Sequence, residues 1–578
     1  MSIMAAFTTL AALLAPLVDQ APAQEPALPI LHTYTLAQDG TPESYDEALA
    51  VASLQGIINR ERPELYLLSR KNSRPRYWLD LLSAGGRWLE GREQVEHDGL
   101  TDLVGLAGER LKGAVVCDPT VPATVNVATT AAGVLDAVVL SPQQSEGRLA
   151  EWGLPVLLDL RDMFTGAETG SAKNDAYRWA IREYLAKGLC SSRLLCLYED
   201  SFGTRDGGAL SYVMTRDWAV RNRAFVFDLS PWGDEKPADD PDQRMGLDLR
   251  TYEMILAEVY HQAAGEHMTE LTGFFSFGKY SNVAGHPSRH DPVPTEWESV
   301  WLMSPYNCYQ NTVSSDCFNQ SLHSQAPRRP LAQQPTAEPI AIENKTYLCF
   351  LMADYDSSTP LYEFLPNHWE NEDRGKLPLA WGINPNLLDT YPDLIAYFYS
   401  TATPNDTFTS DASAAGYMNP NRIKPENLPL FVAHNQRYFR EAAMTIAPMV
   451  LDWDQPSPEV KDAFRQFAPD GFATIVMDLH GTGGAGPPTH VWKGMPVTNL
   501  INDACNFSDP ETAAATLSAA IDRQGDSPPS FHLFRVVWVS PTSILETLAA
   551  LRKLRPDLDL QVLSPHTFFA LLGQHYSE

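Results

Sequence analysis

The chain is predicted to be an α/β protein with a C-terminal distorted (β/α) barrel of seven or eight strands, preceded by small α/β N-terminal domains. From Lys345 onwards, short apolar runs alternate with segments of helical periodicity. The same alternation occurs on a smaller scale before residue 280. Three of the later apolar runs end in Asp followed two positions on by Asp or His, as expected at the carboxyl end of a barrel.

Length and composition limit the possible functions. The 578 residues are enough for about three or four domains, and a hydrophobic content of 44% supports large cores. The net charge of -29 opposes binding to nucleic acids or to anionic membrane surfaces, because both prefer basic proteins. A neutral or cationic substrate is compatible with this charge.

The first residues resemble an export signal. An apolar stretch over residues 3–18 is followed by Ala21-Pro22-Ala23, which resembles a cleavage site after Ala23. The mature protein is therefore expected to be exported, to the periplasm or outside. No other run approaches about 18 apolar residues, so no membrane span is expected in the mature protein.

The sequence before the barrel is predicted to form three α/β domains and a linker. Helices are expected at 45–60, 125–135, 175–187, 210–221 and 249–264, and strands at 64–68, 113–117, 137–140, 193–198 and 224–229. The predicted organisation is a signal peptide at 1–23, domains at 28–108, 109–170 and 171–280, an irregular linker region at 281–343, and the barrel at 344–575. Within the linker region, Cys308 and Cys317 can pair if the compartment is oxidising.

The C-terminal region carries seven predicted strands, at 346–353, 377–383, 444–451, 472–479, 495–500, 531–539 and 558–563. Helices are expected between them, near 386–398, 434–441, 458–466, 509–523 and 541–554. A barrel is the favoured arrangement, and an open doubly wound sheet is the main rival.

Three strand ends carry the candidate chemistry. Their acidic segments are Asp354-Tyr355-Asp356, Asp452-Trp453-Asp454 and Asp478-Leu479-His480. Residues i and i+2 of a strand share one face, and carboxylates are costly to bury without a partner. The competing interpretation is that these Asp residues cap helices or form turns.

Several segments resemble one known family, the GxGYxYP putative glycoside hydrolases. The resemblance covers nearly the whole mature chain and rests on the segments 54–60, 63–67, 121–130, 273–274 with 279–280, 374–375, 378–385 and 405–406. The name-giving motif falls at 414–420, where Gly416, Tyr417 and Pro420 fit, but Ala414 replaces Gly and Asn419 replaces Tyr. Residues 354–357 stand where Asp-Gly-Asp-Asn is expected. The resemblance implies several small N-terminal domains, a C-terminal barrel and a carbohydrate substrate.

Glycoside hydrolysis requires two carboxyl groups that flank the scissile bond. The favoured pair is Asp356 with one of the other rim candidates, and the sequence does not say which is acid and which is base. The candidate catalytic residues are Asp354, Asp356, Asp406, Asp452 and Asp478. Candidate substrate contacts are the rings of Trp381, Tyr417 and Trp453, the amide of Asn384, the backbone at Gly416, and His480. Packing in the core is the competing role for each ring.

Two other functions remain open. Paired Asp residues with His480 can hold a divalent ion for metal-dependent hydrolysis, such as deacetylation of a polysaccharide. His286 and His290 do not support such a site, because Pro287 makes a helix there unfavourable. The third possibility is a non-catalytic carbohydrate-binding protein.

The favoured glycosidase reaction needs no cofactor and no metal. The glycine-rich segment 481–486 lacks the Lys-Ser/Thr ending of a phosphate loop and is interpreted as a loop over the barrel mouth. No nucleophile elbow of the G-x-S-x-G type is present. The sugar, the linkage and the oligomeric state are not defined by the sequence.

Overall fold

The protein is described here by a computed structural model. It describes residues 29–203, 213–234, 236–280, 292–311, 317–333, 340–411, 413–452, 455–477, 488–501, 509–525 and 527–577. No helix in these ranges combines the length and apolarity that a membrane span needs.

The N-terminal part contains two small parallel sheets. The first has the strand order β2-β1-β3 and the second the order β5-β4-β6. The elements are β1 (Leu31–Leu36), α1 (Pro42–Ile58), β2 (Leu65–Ser69), α2 (Arg74–Leu82), β3 (Gln94–His97), α3 (Leu100–Ala107), β4 (Gly113–Val116), α4 (Thr124–Leu135), β5 (Ala137–Leu140), α5 (Pro142–Trp152) and β6 (Val156–Asp159).

A third parallel sheet follows, in the order β10-β9-β7-β8. Its elements are α6 (Ala172–Ala180), which continues as a π-helical turn over Ile181–Leu185, then β7 (Leu194–Leu197), α7 (Arg216–Asn222), β8 (Phe225–Phe227), α8 (Leu247–Ala263), β9 (Thr269–Gly273), α9 (Phe277–Tyr280), α10 (Pro292–Met303), β10 (Cys308–Asn311) and α11 (Gln320–His323).

An irregular linker was expected over 281–343, and this expectation was wrong in the middle of the range, where residues 308–311 form a strand. Strand β10 pairs along β9 and completes the third sheet, although the polar run Cys-Tyr-Gln-Asn gives no apolar signal. Cys308 and Cys317 do not form a disulfide in the structure. The Cys317 sulfur instead lies 3.1 Å from the Thr359 hydroxyl.

The C-terminal region forms the predicted barrel. Its elements are β11 (Thr346–Ala353), α12 (Leu365–Trp369), β12 (Leu379–Gly382), α13 (Pro392–Ser400), β13 (Asp406–Thr409), α14 (Leu428–Glu441), β14 (Ile446–Asp452), α15 (Pro458–Phe464), β15 (Gly471–Met477), β16 (His490–Trp492), β17 (Met495–Ile501), α16 (Pro510–Gln524), β18 (Ser530–Val537), α17 (Pro541–Leu554), β19 (Leu560–Val562) and α18 (Pro565–Ser577).

Seven of these strands form a nearly closed parallel barrel. They run in the order β13-β12-β11-β18-β17-β15-β14, so neighbours around the barrel follow one another along the chain. The two end strands approach where the Ser410 amide donates to the Ile446 carbonyl at 3.4 Å. Strand β16 pairs antiparallel with β17, and β19 pairs with the first half of β11. The open sheet that was the main rival is therefore not the fold.

The segment Leu54–Arg60, which contributed to the family resemblance, is structural. Asn59 ends α1 and is fully buried. Its side-chain oxygen accepts from the amides of Glu64 and Leu65, and its side-chain nitrogen donates to the Ser321 hydroxyl at 3.0 Å. Gln55 donates to Asn319 at 2.7 Å. These bonds join the first sheet to the segment that follows the third sheet.

Substituting Gly56 tests how tightly the neighbouring junction between α1 and α7 is packed. A Cβ at Gly56 would lie 2.6 Å from the Asp217 carbonyl oxygen and 2.7 Å from the Val220 Cβ. We expect Gly56→Ala to destabilise the protein by about 1–3 kcal/mol through overpacking, seen as a lower Tm. The control is Gly105→Ala in α3, where a Cβ meets nothing within 4 Å and better helix propensity raises or preserves the Tm. Equal Tm values for the two variants would contradict tight packing at this junction.

Candidate functional site: three carboxylates at the barrel mouth

Three Asp side chains converge at the carboxyl ends of two barrel strands. Asp354 and Asp356 follow β11, and Asp411 follows β13. One carboxylate oxygen from each lies within 4.8 Å of the others. Enzymes with a (β/α) barrel place their reacting groups at the carboxyl ends of the barrel strands.

The backbone at Asp354 turns the chain out of β11. Its φ is +65°, a left-handed conformation that Asp tolerates better than most residues because its short side chain can bond locally. The predicted i, i+2 relation on a straight strand therefore does not apply to Asp354 and Asp356. The turn nevertheless brings both carboxylates to one site.

Asp411 is held by the end of β12. The Asn384 side-chain oxygen accepts from the Asp411 amide at 3.0 Å, and an Asp411 carboxylate oxygen accepts from the Tyr355 amide at 3.1 Å. A Cβ at Gly382 would lie 2.8 Å from the Asp411 carboxyl carbon, so glycine makes the room that Asp411 occupies. Asn384 thus positions a carboxyl group, whereas the sequence predicted it as a substrate contact.

Asp354 has a different environment from the other two carboxyl groups. Its side chain is 31% exposed and forms an ion pair with Arg535 of β18. Its backbone carbonyl accepts from the Trp538 indole at 3.0 Å. Arg535 and Trp538 therefore join the end of β18 to the end of β11.

Burial raises the pKa values of the other two carboxyl groups, Asp356 and Asp411. Desolvation, followed by the charge of Asp354, raises the pKa of Asp356 to about 7, while Arg535 opposes the shift. Desolvation and then the charges of Asp356 and Asp354 raise the pKa of Asp411 well above its ordinary value. Carboxyl groups this close cannot all be ionised without compensation, so the cluster retains protons at pH values where isolated Asp residues have lost them.

Asp406 does not belong to this cluster, contrary to the prediction. It is the first residue of β13 and so lies at the opposite end of the barrel from Asp411. Its carboxylate is ion-paired with Arg374 and accepts from the Trp381 indole at 2.9 Å. The sequence carried no signal for β13, because Asp-Thr-Phe-Thr contains only one large apolar residue, and Asp406 was counted among the rim carboxylates without a strand to place it.

The predicted aromatic contacts that are described lie in the core. Trp381 is fully buried against Trp369, with ring centroids 5.1 Å apart. Tyr417 is also buried and exchanges two backbone hydrogen bonds with Gln310 of β10, at 2.7 and 2.8 Å. Neither ring is therefore available to a sugar in this structure.

The name-giving motif packs against the third sheet. Gly416 has a φ of +95°, a backbone conformation that favours glycine. A Cβ there would also lie 2.2 Å from the Tyr309 ring. The loop over 413–418 thus docks the barrel onto β10.

Other predicted site residues are not described with side chains. Asp452 ends β14, as its apolar run predicted, and the structure describes its backbone only. The remaining candidates, Trp453, Asp478 and His480, lie outside the described residues, as do His286, His290 and the glycine-rich segment 481–486. The sequence did not identify Asp411, Arg535 or Trp538 as site residues, although Arg535 and Trp538 lie within the predicted strand 531–539.

Comparison with known proteins identifies the family. Three family models match the chain: the first GxGYxYP N-terminal domain over residues 32–104, the second over 111–189, and the "GxGYxYP putative glycoside hydrolase C-terminal domain" over 344–573. The chain belongs to the GxGYxYP family. The three carboxylates all lie within the segment that the C-terminal family model matches.

One solved structure supports the same fold. A crystal structure of a "putative hydrolase" from Bacteroides thetaiotaomicron VPI-5482 matches with a TM-score of 0.69 at 17% identity, covering 94% of this chain and 95% of that chain. A "putative polysaccharide deacetylase" from Mycobacterium smegmatis matches with a TM-score of 0.27 at 11% identity, covering 43% of this chain and 94% of that chain, which is too weak to support an inference. No curated protein matches the chain significantly.

The raised pKa of Asp356 predicts a pH-dependent stability difference. A carboxyl whose pKa is raised by folding contributes stability that is full below about pH 4 and is lost as pH rises towards 7. The neutral variant Asp356→Asn lacks this loss, so its stability relative to wild type should rise between pH 4 and pH 8 by up to about 4 kcal/mol. The measurement is the Tm difference between variant and wild type at both pH values.

The control for this experiment is Asp557→Asn, which removes an exposed carboxyl paired with Arg555. Arg555 lowers the pKa of Asp557, so this variant should gain no stability as the pH rises. If the Tm difference between Asp356→Asn and wild type did not change with pH, the claim that burial raises the pKa of Asp356 would be contradicted.

Proposed function

We propose that this protein hydrolyses glycosidic bonds at the mouth of its barrel, with Asp356 as the general acid and Asp354 as the nucleophile. The observation that carries the proposal is the contrast between two neighbouring carboxyl groups. Asp356 is desolvated and has a raised pKa, whereas Asp354 is partly exposed and ion-paired with Arg535. Glycosidases assign the acid role to the first kind of environment and the nucleophile role to the second. The family to which the chain belongs supports a carbohydrate substrate.

The proposed reaction has two steps. In the first, a carboxylate oxygen of Asp354 bonds to the anomeric carbon while the glycosidic C–O bond breaks, and Asp356 donates its proton to the leaving oxygen. In the second, water attacks the anomeric carbon, Asp356 takes a proton from that water, and Asp354 is released. The close approach of the carboxylate oxygens, within 4.8 Å, favours this retaining course over the inverting one, which needs about 6.5–9.5 Å between the carboxyl groups.

Asp411 has a supporting role in this scheme. It is buried, its pKa is strongly raised, and its carboxylate accepts from the Tyr355 amide between the two reacting residues. A protonated Asp411 adds no negative charge beside Asp356. The bond from the Tyr355 amide to Asp411 fixes the turn that carries both reacting groups.

The activity test compares wild type with Asp356→Asn and with Asp557→Asn as the exposed control. On a panel of polysaccharides and chromogenic glycosides, we expect Asp356→Asn to lose about 10²–10⁴-fold in kcat, since a general acid contributes that much. Wild-type activity should fall as pH rises above about 7, because Asp356 then loses the proton it donates. Activity that instead rises through pH 7, or that survives in Asp356→Asn, would contradict the assigned roles.

A second function is favoured by one specific observation. Three carboxylate oxygens within 4.8 Å of one another are spaced to share one cation, and an all-carboxylate donor set suits Mg²⁺, Ca²⁺ or Mn²⁺. Such an ion would supply an activated water for a metal-dependent hydrolysis, such as removal of an acetyl group from a polysaccharide. In that case Asp354, Asp356 and Asp411 would hold the ion.

Asp411→Asn separates these two functions. If Asp411 is a protonated, supporting carboxyl, the neutral amide can keep the bond from the Tyr355 amide, and we expect kcat to remain within about tenfold of wild type with no effect of a chelator. If Asp411 is a metal ligand, the variant and the chelator should both abolish activity. Measuring released reducing sugar and released acetate in parallel identifies the bond that is cleaved.

Export remains part of this proposal. The apolar stretch at 3–18 and the Ala21-Pro22-Ala23 site lie outside the described residues, and polysaccharides are met mainly outside the cytoplasm. N-terminal sequencing of protein recovered outside the cytoplasm should find a chain that begins at Gln24.

A further inference from the structure

Trp538 is exposed beside the carboxylate cluster. The residue is 42% exposed, and it is the one exposed Trp among those whose side chains the structure describes. By contrast, Trp369 and Trp381, which belong to the same barrel, are buried. A large ring left in water loses the hydrophobic stabilisation that burial would give, and its place next to the candidate site makes it a candidate ligand contact.

The backbone at Trp538 is held in an uncommon conformation. Its φ is +50°, which is rare for a bulky L-residue and persists only where the surroundings impose it. Asp354 at the end of the adjacent strand β11 is also left-handed, with a φ of +65°. Two such residues therefore stand at neighbouring strand ends on the barrel rim.

Local contacts fix the orientation of the indole. The indole nitrogen donates to the Asp354 carbonyl at 3.0 Å. The ring also packs against Phe364, with centroids 4.6 Å apart and an angle of 57° between the planes. The ring is therefore preorganised, and a ligand that covers it meets little rotamer entropy cost.

We propose that Trp538 is a stacking platform for a pyranose ring bound next to Asp354. This inference rests on the proposed function and names a subsite of it. The apolar C–H face of a pyranose is complementary to an indole face, and its hydroxyl groups can reach the partly exposed carboxylate of Asp354. The indole nitrogen of Trp538 donates a hydrogen bond to the backbone carbonyl of Asp354, the residue proposed as nucleophile. The position of the indole therefore sets the distance between the bound sugar and the Asp354 carboxylate.

The test measures binding without turnover. Isothermal titration calorimetry is run in the Asp356→Asn background with linear β-1,4 hexasaccharides of glucose, mannose, xylose and N-acetylglucosamine. We expect Trp538→Ala to weaken the tightest-bound hexasaccharide by about tenfold, the scale of one aromatic contact. Trp538→Phe should retain most of the affinity, because it keeps an aromatic face. In the otherwise wild-type enzyme, Trp538→Ala should raise KM more than it lowers kcat.

The matched control is Trp492→Ala. Trp492 is partly exposed on β16 and pairs with Met495 at the start of β17, at the end of the barrel opposite the carboxylates. This variant should bind as the parent does. Trp538→Gly provides a second check on folding, because glycine accepts the positive φ without strain and should melt above Trp538→Ala.

The outcomes separate the platform from the proposed function. Unchanged affinity in Trp538→Ala would overturn the platform, as would equal losses in Trp538→Phe and Trp538→Ala, which would assign the effect to the indole N–H. Failure of all four hexasaccharides to bind the parent would also overturn it. If Trp538→Ala weakens binding while the wild type cleaves none of the glycans, the platform stands and the glycosidase proposal fails.

Discussion

Repulsion between desolvated carboxyl groups is the constraint around which the barrel mouth is built. Asp354, Asp356 and Asp411 place oxygens within 4.8 Å of one another, and two of the three are buried. Bringing like charges together away from water is unfavourable, so the site must supply protons or opposite charge. Arg535 pairs with the most exposed member, and the raised pKa values of the other two indicate that they retain protons. The same repulsion that costs stability also creates an acid able to donate a proton near neutral pH.

The N-terminal sheets take part in positioning this cluster. Asp411 is followed by the loop that carries the name-giving motif, and that loop pairs with β10 through Tyr417 and Gln310. The chain between the site and the interface is only a few residues long, so the docking of the third sheet restrains Asp411. The bonds of Asn59 and Gln55 in turn tie the first sheet to the segment after β10.

The two departures from the family motif, Ala414 and Asn419, lie in the loop that docks onto the third sheet. Ala414 is buried and does not have a positive φ, so it needs no glycine. The Asn419 amide donates to the Ser304 hydroxyl at 2.9 Å, and its side-chain oxygen accepts from the Asn421 amide at 3.1 Å. Asn419 therefore takes part in docking, and neither residue belongs to the carboxylate cluster. The altered motif is thus no argument for lost chemistry.

The sequence predicted the barrel because long apolar strands and capped helices carry strong local signals. Strand β11 and helix α17 appear with the bounds expected, 346–353 and 541–554. The sequence did not predict β10 and β13, because their short polar runs become strands only through pairing with neighbouring strands. That failure had a direct consequence for the site, because Asp411 follows β13 and Asp406 begins it. Distances between strand ends, such as that from Asp354 to Arg535, arise from barrel closure and have no local signal.

Covalent trapping is the most direct test of the claim that these carboxyl groups perform glycoside hydrolysis. The protein is incubated with activated 2-deoxy-2-fluoro glycosides of several sugars, which slow the second step of a retaining enzyme, and its peptides are analysed by mass spectrometry. The account predicts one added glycosyl group on the peptide that contains Asp354, and none in Asp354→Asn. Wild-type cleavage of a glycan with no adduct on that peptide, and with activity that requires a divalent ion, would contradict it.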